Sequence, residues 1–380
     1  MKIVLISNYI NHYMLPLIEE LINLGCDAWF VETDMLPENL RKGGFYDYGE
    51  RPYFVRAWQD KVSKSKMEQL AIEADVLIIG NKPKMLEWKR LRQDKLTFEI
   101  SERPLKKGII NAISPVVSKT QLFYHLLFYN KPVYMLCLSS YTAKDEYRLH
   151  AFKDRCYQFG YFPRIPVINV EEVLDSKPKG KIRIIWCARF IKWKHPEQVV
   201  LLAEKLKGDG YDFEINMIGG GVEYLNIEKL IKEKDVRDCV HLLGNHPNNA
   251  VLKMMSEHHI FLFTSDKNEG WGVVLNEAMG QCCCPVAARE IGAVPALLKN
   301  DINGKVYAAK SLDSLYNAMK DLLDNPAKIR KMATQAYDTV QQEWNPVNAA
   351  KCLYDLFKAT LSGKPYTKPE GICSKAYPIE

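Results

Sequence analysis

Lys181-Ile-Arg-Ile-Ile-Trp186, Phe213-Glu-Ile-Asn-Met-Ile218, Val240-His-Leu-Leu243 and Ile260-Phe-Leu-Phe263 are short apolar runs, each followed by a segment of helical periodicity. Strands that alternate with helices in this way build a parallel sheet with helices on its faces. The same alternation runs upstream, from Lys2 to about Gly160. Met1-Lys2-Ile3-Val4-Leu5-Ile6, Asp75-Val-Leu-Ile-Ile-Gly80 and Pro132-Val-Tyr-Met-Leu-Cys137 are its strand-like runs, and Met14 to Leu24 is one of its amphipathic stretches. The expected fold class is α/β, with two Rossmann-like, doubly wound parallel-sheet domains.

Between the two alternations, Pro163, Pro166, Pro178 and Gly180 stand among charged residues, a linker composition. The expected division is therefore an N-terminal domain over 1–165, a linker over 166–180 and a C-terminal domain over 181–345. A terminal helix and polar tail follow over 346–380, after the interruption at Trp344-Asn345-Pro346. A chain of 380 residues is long enough for two cores.

Composition bounds the function classes. With 47% hydrophobic and 26% charged residues the chain reads as ordinary globular protein, and a net charge of +6 suits phosphate-bearing ligands, nucleic acid or an anionic membrane without choosing among them. No zinc finger, RNA-binding strand motif or dense basic arm is present, so nucleic acid is set aside. No G-x-G-x-x-G follows the first strand, which disfavours a dinucleotide oxidoreductase. The 10 cysteines form no CxxC pair, and Cys282, Cys283 and Cys284 are consecutive, so the expected setting is a reducing cytoplasm. No signal-peptide pattern and no run near about 20 apolar residues appears, which leaves peripheral contact at the membrane face as the membrane expectation.

The chemistry-bearing segment is Asn268-Glu269-Gly270-Trp271-Gly272-Val273-Val274-Leu275-Asn276-Glu277-Ala278-Met279. It follows a strand and opens a helix. Gly270 and Gly272 let backbone approach a ligand, and amides at a helix start favour an anion such as a diphosphate. Eight positions would set Glu269 and Glu277 about 80° apart on one helix; with Glu269 in the loop, both can face one site. Taken alone, the pair reads rather as a solvated helix residue, Glu277, and a helix-start charge, Glu269.

The wider match decides between those readings. The Glu-x7-Glu arrangement resembles the signature of family 4 retaining glycosyltransferases of the two-domain GT-B fold (glycosyl transferases group 1). Cys187-Ala188-Arg189-Phe190-Ile191-Lys192-Trp193-Lys194-His195 is similar to that family's Arg-x4-Lys phosphate clamp, with Arg189 and Lys194 at the matching positions. Ile218-Gly219-Gly220-Gly221 resembles its glycine-rich turn beside the nucleotide, and Arg289-Glu290-Ile291-Gly292 with Asp301-Ile302-Asn303-Gly304-Lys305-Val306 its closing elements. Many relatives carry an acidic residue near the position of Ala296. The likeness covers roughly Lys181 to Tyr307, and the terminal helix is expected to cross back to the first domain, as GT-B chains do.

The resemblance implies roles. Glu269, Arg189 and Lys194 are the catalytic candidates: Glu269 toward donor-sugar hydroxyls, the two cations on the departing diphosphate, whose oxygens gain charge as the anomeric bond breaks. Gly219, Gly220, Gly270, Trp271, Gly272, Val273 and Glu277 are donor-binding candidates, Glu277 for the ribose. No Asp-x-Asp triplet is present, so neither a metal nor a cofactor is expected, and a UDP-sugar is favoured over a GDP-sugar as donor substrate.

The first half supplies acceptor-side candidates. Ser7-Asn8-Tyr9-Ile10-Asn11-His12 begins where the first strand ends, so Asn8, Asn11 and His12 are placed toward the cleft between the domains, with a helix cap as the rival reading of Asn11. The family's Gly-Gly in this loop is missing. Thr97-Phe-Glu-Ile100 runs into Ser101-Glu102-Arg103-Pro104, where many relatives have a His; Glu102 and Arg103 stand in its neighbourhood. Arg103, Lys106, Lys107 and Lys119, interleaved with Ile109, Ile110, Leu122, Phe123, Tyr124, Leu126, Leu127 and Phe128, fit either an anionic membrane surface or a helix facing the core.

The expected function is retaining transfer of a sugar from a nucleoside diphosphate sugar to a hydroxyl of a glycan or lipid-linked acceptor, in surface polysaccharide biosynthesis. The alternatives are a sugar-nucleotide epimerase or phosphorylase on the same plan, the latter lacking an identifiable pyridoxal-phosphate lysine, and a non-catalytic sugar-nucleotide-binding partner.

Overall fold

A computed structural model of the protein describes residues 1–37, 48, 51–80, 83–106, 108 and 122–379. Among these the chain forms two compact units: Met1–Arg164 with Trp344–Glu380, and Ile165–Glu343.

The first unit is built on seven strands: β1 (Lys2–Ser7), β2 (Asp27–Glu32), β3 (Phe54–Arg56), β4 (Val76–Ile79), β5 (Thr97–Ser101), β6 (Val133–Cys137) and β7 (Cys156–Gln158). Their order is β3-β2-β1-β4-β5-β6-β7, all parallel. β4 is buried at every position because helices cover both faces of a parallel sheet, which is why its sequence is a continuous apolar run. Val4, Ile6, Leu77 and Ile79 pack on one side against Met67, Leu70 and Leu86.

The second unit holds β8 (Ile182–Cys187), β9 (Phe213–Ile218), β10 (Val240–Gly244), β11 (Ile260–Phe263), β12 (Cys284–Ala288) and β13 (Lys305–Tyr307), in the parallel order β10-β9-β8-β11-β12-β13. In both sheets the strand order reverses once, between β1 and β4 and between β8 and β11, and ligands of open α/β sheets collect beyond the carboxyl ends of the strands at such a point.

Residues 166–180, expected as a linker, belong instead to the second unit. They contain the helix Val170–Ser176, capped by the Asn169 side chain, and Lys177, whose buried ammonium donates to the carbonyls of His258 and Cys282. The prolines and Gly180 bracket this helix, so composition hid it. At the other end, the polar tail beyond the helix Pro346–Leu361 docks on the first unit: Ile372 and Cys373 are buried, and Cys373 N–H donates to the Gln158 carbonyl at 2.7 Å.

In the basic and aromatic stretch, Leu122–Leu127 forms a π-helix; Tyr124 and Phe128 enter the core while Leu126 and Leu127 are exposed. Lys107, Ile109, Ile110 and Lys119 lie outside the described residues. No helix among the described residues is long and apolar enough to cross a membrane. All ten cysteines are free thiols.

Candidate functional site

The reversal between β8 and β11 places two loops side by side. Beyond β8 the chain runs through Arg189 and Phe190 into the 3-10 turn Lys192–Lys194, then through His195 in the left-handed conformation (φ 49°) into the helix Pro196–Gly208. Beyond β11 it runs through Asp266 and Glu269 into the helix Val274–Gly280. Thr264 ties the loops, since its hydroxyl donates to the Lys194 carbonyl at 2.6 Å and accepts from the Trp186 indole at 2.8 Å.

Within this frame Lys194 and Glu269 form an ion pair with side chains only 10% and 12% exposed. The ammonium also lies 4.5 Å from the Trp193 ring centroid and 5.5 Å from that of Phe263. A charge held this way against aromatic faces cannot wander as a surface lysine does. Arg189 stands exposed on the same loop. Glu277, nearly buried, accepts from the Asn248 amide at 2.9 Å. Burial pushes the thiol of Cys187, at the end of β8, up to about 12, with Glu277 adding to the rise and Lys194 opposing it, so both charges act on one spot beyond the strand.

The glycine turn is shaped by contact. Phe190 N–H donates to the Gly220 carbonyl at 2.9 Å and Gly219 N–H to the Gly244 carbonyl at 2.8 Å, locking the ends of β8, β9 and β10 together. Gly272 has φ 91°, and a Cβ there would stand 2.7 Å from the Phe263 ring. Gly270 is buried and Val273 half-buried. Trp271 is a core residue, 1% exposed, whose indole N–H donates to the Asn276 side chain at 2.9 Å.

Sequence reasoning passed over His195 and Asp266. The imidazole meets Glu197 at 2.8 Å and Asp266 at 3.2 Å, and Lys310 approaches Asp266 at 3.3 Å. Burial would raise the Asp266 carboxyl, but the Asn268 amide, His195 and Lys310 hold it below the usual carboxylate range. For His195 the bond to Glu197 raises the pKa above 6.5, burial opposes it and Asp266 adds to it. A raised folded-state value means stability that is complete below the unfolded pKa and lost as pH climbs through the folded one. His195→Asn, which tolerates the left-handed conformation, is expected to cost about 1–2 kcal/mol near pH 5.5 and little near pH 8.5, read from urea midpoints. Equal losses at both would show that no proton-linked contact is made there.

In the first unit the loops beyond β1, β4 and β5 line a cavity of about 930 Å³. Asn8, Asn11, Glu102 and Arg103 are in its wall; His12 is not, and stacks edge-on against Tyr13 at 4.9 Å. Asn8 is exposed and accepts from Ser7. The Asn11 carboxamide accepts from the Met14 N–H at 3.0 Å in the turn before the helix Leu15–Asn23, whose N-cap is Met14 rather than Asn11. Glu102 accepts from Lys106 and from the Tyr161 hydroxyl, each at 3.2 Å. Arg103 is committed to fully buried Asp145, with bonds of 3.1 and 3.0 Å. Lys84, Glu99, Tyr124 and Glu146 also line the cavity and were not anticipated. The one signal was Glu99 itself, a carboxylate at an inward position of an apolar strand.

Residues 172–339 match the family described as Glycosyl transferases group 1. The second unit is a glycosyl transferases group 1 domain. Two proteins similar to this chain are an N-acetyl-alpha-D-glucosaminyl L-malate synthase of Bacillus anthracis, 26% identical over 48% of this chain and 47% of that protein, and the amylovoran biosynthesis glycosyltransferase AmsK of Erwinia amylovora, 26% identical over 47% of this chain and 44% of that protein. The chain thus spans about half the length of the curated relatives it matches. Among solved structures, Anabaena Alr3699/HepE in complex with UDP and glucose superposes with a TM-score of 0.65 at 14% identity, over 94% of this chain and 100% of that one. The fold is GT-B.

Proposed function

We propose that the protein transfers a sugar from a nucleoside diphosphate sugar, a UDP-sugar before a GDP-sugar, to a hydroxyl of a glycan or lipid-linked acceptor, with retention at the anomeric carbon and without a metal. The observation that carries this reading is the buried Lys194–Glu269 pair at the strand-order reversal, with Arg189 exposed on the same loop. The bond from the anomeric carbon to the diphosphate oxygen breaks, that oxygen gains charge, and Lys194 with Arg189 stabilises it. The acceptor hydroxyl attacks from the face the phosphate leaves, and its proton passes to the departing phosphate. Glu269 orients the donor sugar and holds Lys194 in place; Glu277 takes the ribose hydroxyls.

The UDP bound to a GT-B neighbour supports the donor, and the amylovoran relative supports an acceptor in surface polysaccharide synthesis. The acceptor-side residues Asn8, Asn11, His12, Glu102 and Arg103 belong to the first unit. Work at the cytoplasmic face of a membrane fits the exposed Leu126, Leu127 and Tyr129.

Thermal melts with a panel of UDP- and GDP-sugars in EDTA test the donor. At least one UDP-sugar is expected to raise the melting temperature of the wild type, with an affinity about ten-fold weaker in Arg189→Ala, a loss of about 1.4 kcal/mol. If no nucleotide sugar stabilises the protein, or Arg189→Ala responds like the wild type, the donor site is misassigned.

A further inference from the structure

The first unit's cavity has an unbalanced floor. Lys84, at the start of the helix Lys84–Leu91, sends its ammonium to Glu87 (3.3 Å), to Glu99 and to the Tyr124 hydroxyl (2.5 Å). The Tyr124 hydroxyl stands within hydrogen-bond reach of the same two carboxyls and has one proton to give them. One ammonium is therefore shared by two buried carboxyls, and a third, Glu146, stands beside them. Glu146 lies on the helix Thr142–Arg148, lines the cavity and is 2% exposed, and its Oε2 meets no hydrogen-bond partner among the described residues. The Arg103 guanidinium is taken by Asp145 and brings no compensation.

A buried carboxyl oxygen with no partner is uncommon, because its desolvation goes uncompensated, and this one faces the cavity rather than the core. A phosphate or carboxylate at this spot would face three carboxyls across a dry cavity and would force them to stay protonated, which disfavours it. A cation is favoured instead, once Glu146 gives up its proton to meet it. Hydroxyl groups of Ser7 and Ser101 and the amide of Asn8 line the remainder, and about 930 Å³ is the size of a small-molecule site.

We propose that this cavity binds a small polyhydroxylated molecule carrying a protonated amine, with the ammonium seated against Glu146 and Glu99. The cavity wall also carries Asn8, Asn11, Glu102 and Arg103, so the inference extends the acceptor side of the transferase reading, while the charge argument itself uses only residues of the first unit. Glu99 from β5, Lys84 from its helix and Asp145 from the same helix as Glu146 face that carboxyl. Burial first, then Glu99 and Asp145, raise Glu146 to about 8 against the pull of Lys84, so this carboxyl keeps its proton at neutral pH. An ammonium ligand drives that proton off. Binding then releases one proton, and affinity rises about ten-fold per pH unit below both the Glu146 value and the amine's own pKa.

Calorimetric titration of the full chain with glucosamine, glucose and glucuronate, in two buffers of different ionisation enthalpy, reads this directly. Glucosamine is expected to bind at least about ten-fold more tightly than glucose and to release a proton near pH 6.5, with glucuronate silent. In Glu146→Gln the amine preference falls to parity while glucose binding changes less than about two-fold. Equal binding of glucosamine and glucose by the wild type, heat without proton release, or no binding of any of the three would overturn the proposal. None of these wild-type readouts requires the variant to fold, and none involves a nucleotide sugar, so failure here leaves the donor site standing.

Discussion

Lys194→Ala is expected to lower transfer from the donor sugar by about 10²–10³-fold, the cost of removing one preorganised group that stabilises charge developing in a transition state. Its ammonium is fixed by Glu269 and by the Trp193 and Phe263 rings, so no reorganisation is needed when the leaving phosphate gains charge. A second effect accompanies the first. Glu269 loses its partner inside a site where its side chain is only 12% exposed, and breaking a buried pair from one side costs about 3–5 kcal/mol of stability. Pairing Lys194→Ala with Glu269→Gln separates the two, because the double variant buries no lone charge. Its urea midpoint is expected to recover most of the loss, while kcat and kcat/KM stay well below those of Glu269→Gln alone, the reference that carries the same loss of the Glu269 carboxylate. Should the double variant transfer as well as Glu269→Gln alone, Lys194 acts on the fold and the chemistry belongs to another cation.

Much of this site was legible because its parts are close in sequence and fixed in spacing. Arg189 and Lys194 are five positions apart, Glu269 and Glu277 eight, and each pair follows an apolar strand whose continuous run betrays burial on both faces. Trp271 shows the limit of that logic: it stands between two glycines of the loop, yet its bulk is spent on the core. The floor of the first unit's cavity was illegible for the opposite reason. Lys84, Glu99, Tyr124 and Glu146 come from four elements spread over more than sixty positions, and each taken singly is an unremarkable polar residue. Only tertiary placement makes them a cluster. The stretch 166–180 failed differently: its prolines frame a short helix rather than a tether, and the signal of its packing is carried by Leu174 and Lys177 alone.

Gly219→Ala is expected to cost on the order of 4 kcal/mol or more, a large part of a typical domain's 5–15 kcal/mol, whereas Gly220→Ala next to it costs under about 1 kcal/mol. Gly219 has φ 131°, which L side chains rarely adopt, and its Cβ would fall 2.0 Å from the Ala188 carbonyl oxygen. That oxygen is backbone, in a segment held at both sides: Ala188 N–H donates to Ile218 and Phe190 N–H to Gly220. Relief therefore requires the ends of β8 and β9 to part, and those ends carry Arg189 and the approach to Lys194. At Gly220 the obstacle is the Asn245 side-chain amide at 2.8 Å, the far end of a side chain that can swing aside. Urea midpoints of the two variants check the contrast, and equal midpoints would mean that the turn is not built as described. Because Gly220→Ala leaves the fold intact, its donor affinity then reports on the turn's second role. A methyl group that weakens nucleotide-sugar binding about ten-fold, with the midpoint unmoved, places the ligand against the Gly220 backbone; unchanged affinity means that the glycine there serves the turn alone.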